Sequence, residues 1–175
     1  MKYSKVSNRE KLKNYIGWFA SEKLDGWNVR WTGTRFVTKN GTPCLGTPEM
    51  IDALRKHSPS TVLEGEMYLG SGLLRPKVAT LCSCGRVPKG GKATFNVFDA
   101  PLVGKTFEER MEVAHRRVSK TPSCIRLVSQ KRIRSPGQLV KMFEGIKRRG
   151  GEGIVVADPK GLYSASSTRQ RSKVK

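Results

Sequence analysis

The chain has 175 residues, of which 34 are Lys or Arg and 14 are Asp or Glu, so its formal net charge is +20. Hydrophobic residues make up 37% of the chain, which excludes a disordered tail, and no run approaches the ~20 apolar residues that cross a bilayer. This charge favours nucleic acid as the partner, with an anionic membrane surface and a ribosomal or capsid-type structural role as the alternatives.

The first elements in chain order are strands and one helix. Residues 15–38 are predicted to form strands joined by turns, because residues 27–31 alternate in polarity and residues 35–38 follow a Gly-Thr turn. Thr47 is a typical helix cap and is followed by Pro at the first helical position. A short helix is therefore predicted to end near His57.

The middle of the chain is predicted to be mostly strand and loop. Residues 61–69 read as a strand pair or as one strand bent around Gly65, and residues 94–99 read as a strand. Residues 70–90 are basic and rich in glycine, which predicts a loop.

Two helices and two strands are predicted in the second half. A capping box at residues 106–109 begins a helix that should end near Ser119. A Ser-Pro pair at residues 135–136 begins another, which ends in basic residues followed by glycine. Residues 125–129 and 153–157 are predicted strands, and residues 163–175 form a polar, basic tail. Together these elements predict one α+β domain with antiparallel sheets flanked by helices.

The four cysteines are Cys44, Cys82, Cys84 and Cys124. The N-terminal residues lack an apolar core region, so no secretory signal is predicted and the protein is expected to be intracellular, in the cytoplasm, the nucleus or a virus-related setting. Reduced thiols are therefore expected. Small buried thiols are favoured over a four-thiolate zinc site, because the spacing of Cys82 and Cys84 is unlike that of common zinc sites.

The sharpest local motif is Lys23-Leu24-Asp25-Gly26. A lysine attacks phosphorus only as the neutral amine, a form that nearby positive charge favours, and this chain is strongly basic. The pattern is weak by itself, because Asp-Gly also marks a turn.

Four further motifs follow in a fixed order: residues 63–66 (LEGE), 95–99 (FNVFD), 152–155 (EGIV) and 173–175 (KVK). In this order the set resembles the nucleotidyltransferase superfamily of ATP-dependent DNA ligases, RNA ligases and capping enzymes, and residues 21–26 resemble the short ATP-dependent DNA ligases of bacteria and viruses. The resemblance covers residues 17–175. It implies an ATP-grasp-like adenylation fold and a role in DNA replication or repair.

The resemblance implies a nucleotide site built around a covalent intermediate. Lys23 would take AMP from ATP and release pyrophosphate, and Asp25 would help to place Lys23 or a metal-bound water. Glu66 would bind the ribose hydroxyls, and Phe98 would stack on the adenine ring. Lys173 and Lys175 would contact the α-phosphate and stabilise the charge that builds during transfer. Glu22 belongs to the same nucleotide-binding set. Glu152, together with Glu66, would hold Mg²⁺.

The motifs depart from the family pattern where nucleic acid is held. Ligases of this type usually carry K-x-D-G-x-R, but Asn28 stands at the arginine position, as in one branch of RNA ligases. Glu64 replaces the usual Asp, and residues 70–72 read Gly-Ser-Gly instead of G-R-G. Arg30 and Arg75 are the candidates to compensate, so Asn28, Arg30 and Arg75 are the predicted nucleic-acid contacts. The partner is expected to be nicked duplex DNA, or RNA, and not a membrane.

The family normally continues beyond the K-x-K motif into an oligonucleotide-binding barrel (OB fold). Residues 1–175 are predicted to be a single adenylyltransferase domain without this barrel. Three explanations stay open: the chain is a fragment, it is a natural minimal protein, or a partner supplies the barrel. Three other functions stay open. One is a catalytically weak or inactive ligase-like binding or structural module, which the missing barrel and the charge support. The others are an RNA ligase and GTP-dependent capping of RNA.

Overall fold

The computed structural model describes residues 2–4, 9–70, 75–163 and 171–174. Within these residues the chain forms five helices and eleven strands. The helices α1–α5 are Arg9–Lys13, Pro48–His57, Arg75–Cys84, Phe107–Val118 and Pro136–Arg148. The strands β1–β11 are Lys2–Ser4, Phe19–Lys23, Trp27–Trp31, Phe36–Thr38, Pro43–Cys44, Leu63–Tyr68, Thr94–Asp99, Ile125–Leu127, Lys131–Arg132, Gly153–Ala157 and Arg171–Val174.

The chain divides into two compact units, each with one sheet. The first unit comprises the described parts of 1–24, 102–109 and 128–175, and its five strands run in the order β1-β11-β10-β2-β9. The second unit comprises the described parts of 25–101 and 110–127, and its six strands run in the order β5-β4-β3-β6-β7-β8. Most pairs are antiparallel, as predicted, whereas β1–β11 and β7–β8 are parallel. The α+β fold class is therefore confirmed.

The sheet of the first unit has one apolar face. Because side chains alternate along a strand, Ala20 of β2 points to the same side as Ile154 and Val156 of β10 and Val174 of β11. These residues are buried in one core cluster with apolar residues of α1 and α5. The opposite face of β2 carries Ser21 and Lys23, so packing against the helices fixes which side chains can reach a ligand.

The core of the second unit is built around aromatic rings. Phe36 packs edge-on against Phe95 with ring centroids 4.8 Å apart, and Trp31 lies 5.3 Å from Phe36. All three side chains are fully buried. Burial of these three rings holds together β3, β4 and β7, the strands that lie at or beside the predicted motifs.

The predicted helix ends are confirmed at atomic level. The Thr47 hydroxyl accepts a hydrogen bond from the Met50 N–H at 3.4 Å, at the start of α2. At the start of α4, the Thr106 N–H donates to Glu109 Oε2 at 2.8 Å, and the Glu109 N–H donates to Thr106 Oγ1 at 3.3 Å. This reciprocal pair is the capping box that the sequence predicts. Ser135 caps α5 in the same way as Thr47 caps α2.

The prediction of a loop over residues 70–90 is wrong in part, because residues 75–84 form helix α3. Val78, Leu81 and Cys82 are buried, and their i, i+3, i+4 spacing places them on one face of that helix. The tail prediction also missed a strand, since β11 pairs with β10 in antiparallel register. The single bent strand is the correct reading of residues 61–69, with a register shift between Glu64 and Gly65.

The prediction of reduced thiols is wrong for one pair, because Cys44 of β5 and Cys82 of α3 form a disulfide. The Leu45 N–H donates to the Cys82 carbonyl at 2.8 Å, and this contact holds α3 against β5 with the two Cα atoms 4.2 Å apart. Cys124 is a free, buried thiol, and burial together with the nearby Glu49 carboxylate raises its pKa to about 11. Cys84 is free and exposed.

Candidate active site

Lys23 and Glu152 form the centre of the candidate site in the first unit. Lys23 ends β2, Glu152 immediately precedes β10, and the antiparallel register places Gly153 opposite Lys23. The Lys23 ammonium donates a hydrogen bond to Glu152 Oε2 in a direct ion pair. The exposed fractions of the two side chains are 14% and 24%, so the pair is largely shielded from water. Two motifs separated by 129 residues thus meet at one point.

The glycines on either side of Glu152 are required by close packing. A Cβ atom on Gly151 would lie 2.5 Å from Ile146 Cγ2, and a Cβ atom on Gly153 would lie 2.8 Å from the Val174 carbonyl oxygen. Real Cβ contacts are essentially never this short. The turn between α5 and β10 is therefore tight, and this packing sets the position of the Glu152 backbone relative to β2.

Lys173 lies on the same face of the sheet as Lys23. Val155 of β10 is paired with Ser21 on one side and with Lys173 of β11 on the other. Residues directly opposite each other in antiparallel strands point to the same face, so Lys173 shares the face of Ser21 and Lys23. Lys175, the other lysine of this motif, lies outside the described residues.

The Glu22 side chain lies on the opposite face of the sheet from Lys23. Glu22 is paired with Ile154 of β10, which is paired with Val174 of β11, and both of these residues are fully buried on the helix side of the sheet. The Glu22 carboxylate accepts a hydrogen bond from Arg149 Nη2 at 3.1 Å, at the end of α5. The family resemblance groups Glu22 with the nucleotide-binding residues, whereas the structure places it on the face opposite to Lys23.

In the second unit, Glu66 and Asn28 face each other across β3 and β6. Glu66 Oε1 accepts a hydrogen bond from the Gly26 N–H at 3.1 Å. A Cβ atom on Gly26 would lie 2.2 Å from the Met67 carbonyl oxygen, so only glycine fits directly after Asp25. The glycine of the Lys23 motif thus allows the chain to pass close to Glu66. Asp25 itself is exposed.

Arg30 lies on the same strand as Asn28, two residues further along. It stands directly opposite Glu64 of β6 and donates to Glu64 Oε1 from Nε at 3.1 Å and from Nη2 at 2.5 Å. Arg30 and Asn28 are both exposed. The two departures from the family pattern at positions 28 and 64 are therefore close together on one face of the second sheet.

Phe98 lies at the β-bulge between β6 and β7. The ladder pairs Val97 with Gly65 and Asp99 with Glu64, so Phe98 falls at the register shift. Its ring is half-buried, whereas Phe95 and Val97 on the same strand are fully buried. Partial exposure leaves part of the ring surface accessible to a ligand.

A buried ion pair supports this end of β7. Arg110 of α4 donates to Asp99 Oδ1 from Nε at 2.7 Å and to Oδ2 from Nη2 at 3.2 Å. Both side chains are almost fully buried. Sequence reasoning missed this pair, although Arg110 lies one turn after Phe107 and one turn before Ala114, which are both buried, and so breaks the apolar stripe of α4. A charged residue in such a stripe is the signal that could have revealed it.

The other predicted positions have a limited description. Arg75 is the first residue of α3, and the Ser71-Gly72 pair lies outside the described residues. Across the described ranges, no group of three or more His, Cys, Asp or Glu residues is arranged to hold a metal ion. This finding gives no support to a four-thiolate zinc site. No described helix has the length and hydropathy needed to span a membrane.

Comparison with known proteins agrees with these motifs. The sequence matches the family model for the ATP-dependent DNA ligase domain over residues 2–175. A DNA ligase of Haemophilus influenzae is 24% identical over 160 residues, which are 91% of this chain and 58% of that protein.

Solved structures of DNA ligases share the fold. A Lig E DNA ligase structure superposes with a TM-score of 0.77 and 26% identity, covering 92% of this chain and 62% of that one. The Chlorella virus DNA ligase-adenylate superposes with a TM-score of 0.72 and 18% identity, covering 98% of this chain and 66% of that one. The described α+β fold is thus that of a DNA ligase nucleotidyltransferase domain. The chain belongs to the ATP-dependent DNA ligase domain family, and it spans about three-fifths of the length of these first relatives.

Proposed function

We propose that this chain is the adenylation domain of an ATP-dependent DNA ligase, which carries AMP on Lys23 and seals nicks between a 5′-phosphate and a 3′-hydroxyl. The observation that carries the proposal is the contact between Lys23 and Glu152, which joins the first and fourth family motifs across adjacent strands. The family match over residues 2–175 supports it.

The first chemical step would occur at Lys23 Nζ. The neutral amine attacks the α-phosphorus of ATP, a nitrogen–phosphorus bond forms, the bond to pyrophosphate breaks, and the amine proton is lost. In the described structure this amine donates a hydrogen bond to Glu152 Oε2, which holds Nζ against the carboxylate. The contact must therefore be relieved before Lys23 can attack.

The later steps transfer the AMP group. An oxygen of the nick 5′-phosphate attacks the adenylyl phosphorus, and the bond from phosphorus to Lys23 breaks. The 3′-hydroxyl then attacks the 5′-phosphorus, its proton is lost, and AMP leaves. Lys173, which shares the face of Lys23, and Lys175 would stabilise the charge that builds on the phosphate oxygens. Asp25 would help to place Lys23.

The donor set suits Mg²⁺ bound together with a nucleotide. Mg²⁺ is usually held by one or two carboxylates plus substrate phosphates, and no all-protein cluster of three ligands is present in the described ranges. Glu152 is the carboxylate that would hold it, with Glu66 as the second candidate. When bound, Mg²⁺ would neutralise phosphate charge during transfer.

The nucleoside and the nucleic acid would be bound by residues of the second unit. Glu66 would bind the ribose hydroxyls and Phe98, whose ring is half-buried, would stack on the adenine. Asn28, Arg30 and Arg75 would contact nicked duplex DNA, and the net charge of +20 supports a polyanionic partner. A polypeptide that supplies an OB fold would complete the clamp on DNA.

Two nicked duplexes test this function. Wild type is expected to seal a pre-adenylylated nick without ATP, and Lys23→Ala is expected to seal it too, because the lysine acts only before that step. Lys23→Ala should fail on an ordinary 5′-phosphate nick with ATP, whereas Lys141→Ala, which changes an exposed lysine of α5, should behave as wild type. The ligase proposal fails if wild type leaves the pre-adenylylated nick open. The same pair of nicks made with RNA strands determines which strand type is preferred.

A further inference from the structure

We infer that Glu22 and Arg149 form a positioning pair that fixes the turn carrying Glu152 relative to Lys23. This inference rests on the proposed function, and it assigns to Glu22 a role other than binding nucleotide. The first observation concerns the face of the sheet on which each side chain lies. Lys23 lies on one face of the first sheet. The neighbouring Glu22 lies on the other face, which packs against the helices, beside its cross-strand neighbours Ile154 and Val174.

Arg149 links the end of α5 to the strand that carries the nucleophile. It is the C-terminal cap residue of α5, and its Nη1 donates to the Gly145 carbonyl at 2.9 Å. Its Nη2 donates to Glu22 Oε2 at 3.1 Å. One guanidinium thus bonds to the last turn of the helix and to the residue next to Lys23.

The second carboxylate oxygen of Glu22 lies against the same turn. A Cβ atom on Gly151 would lie 2.9 Å from Glu22 Oε1, so this oxygen packs closely over the Gly151 backbone. The Gly151 N–H also donates to the Ile146 carbonyl at 3.0 Å. Glu22 is therefore in contact with the chain on the N-terminal side of Glu152, and Lys23 is bonded to Glu152 itself.

The pair is suited to positioning and not to holding the fold together. The exposed fractions of the Arg149 and Glu22 side chains are 63% and 36%, and exposed ion pairs of this kind contribute little to stability. A displacement of about 1 Å in a reacting group, by contrast, costs up to about a hundredfold in rate. Loss of the pair should therefore slow the reaction at Lys23 while the protein stays folded.

The kinetic test is a double-mutant cycle on formation of the lysine–AMP adduct. Glu22→Gln and Arg149→Gln should each lower the rate by about tenfold, with an unchanged KM for ATP, an unchanged Tm and a higher Mg²⁺ requirement. The double variant should be no slower than either single variant, because both remove the same contact. Arg149→Lys, which keeps the charge, should recover part of the rate. Arg148→Gln is the matched control, since it removes an exposed charge from the same helix end.

A second measurement does not depend on the adenylylation reaction. Lys23 is hydrogen-bonded to Glu152, so displacement of the turn that carries Glu152 should expose the Lys23 amine. Acetic anhydride should therefore label Lys23 faster in Glu22→Gln than in wild type or Arg148→Gln. Peptide mass spectrometry gives the rate, with Lys141 as the internal reference. Equal labelling of Lys23 in all three proteins would overturn the inference, even if wild type formed no AMP adduct.

The kinetic outcome also separates the two roles of Glu22. If Glu22→Gln raised the KM for ATP and left the maximal rate unchanged, Glu22 would bind the nucleotide and the positioning role would be wrong. If wild type and Arg148→Gln form the adduct and the Glu22 and Arg149 variants match them in rate, the inference fails while the proposed function stands.

Discussion

Reduction of the Cys44–Cys82 disulfide should lower the stability of this protein by a calculable amount. The bond joins the edge strand β5 to helix α3 in the second unit and closes a segment of 38 residues. In the chain-entropy description, a cross-link stabilises the folded state because it removes conformations from the unfolded chain.

The length of this segment sets the size of the effect. For 38 residues the lost entropy is about 13 cal/mol/K, which corresponds to about 4 kcal/mol at 25 °C. A protein of this size loses about 2–4 °C in Tm for each kcal/mol, so full reduction should lower Tm by about 8–16 °C.

Differential scanning calorimetry with and without a phosphine reductant measures the change. Thiol titration of the unfolded, unreduced protein should find two free thiols, those of Cys84 and Cys124. Cys44→Ala should already melt low and should not respond to the reductant, whereas Cys84→Ala should respond as wild type does. If the reductant leaves the Tm of wild type unchanged and all four cysteines react without it, the disulfide account is refuted.

Three further predictions follow from contacts in the structure. Arg110→Met should destabilise the protein by about 3–5 kcal/mol in urea denaturation, because it removes the guanidinium that forms an ion pair with the buried Asp99 carboxylate; a loss below about 1 kcal/mol would contradict this reading. The Lys105 ammonium, followed by the Thr106 N–H, lowers the pKa of Glu109 from 4.5 to about 2, so its stabilising effect is full above pH 4.5 and is lost as the pH falls towards 2. Glu109→Gln should thus have a lower denaturation midpoint than wild type near neutral pH, and this difference should shrink near pH 2. Gly151→Ala should slow adenylylation, since its Cβ would lie 2.5 Å from a methyl carbon of α5, whereas Gly137→Ala, whose nearest neighbour is 3.9 Å away, should not.

Local sequence signals predicted the fold where a helix or strand carries its own start and stop residues. Thr47 and Ser135 mark the starts of α2 and α5, and the structure confirms both caps. Helix α3 lacks such a signal within a glycine-rich stretch, and its buried face became evident only where Val78 and Leu81 pack into the core. Tertiary packing, and not propensity, determines that helix.

The sequence predicted which residues belong to the candidate site better than it predicted the face of the sheet on which each side chain lies. The motif order pointed to Lys23 and Glu152, and the structure brings these two into contact. The motif order does not indicate which face of the sheet Glu22 occupies, because that depends on which side of β2 packs against α5. The hydrogen bond between Glu22 and Arg149 joins residues 127 positions apart, a contact that no local pattern encodes.

Lys23 is the proposed carrier of AMP, and intact-mass spectrometry detects that adduct without any further reaction. Wild type, Lys23→Ala and Lys141→Ala would each be measured as isolated and after incubation with ATP and Mg²⁺. We expect a gain of one AMP group on wild type and on Lys141→Ala, and no gain on Lys23→Ala. An AMP adduct that persists on Lys23→Ala would contradict the assignment of the nucleophile.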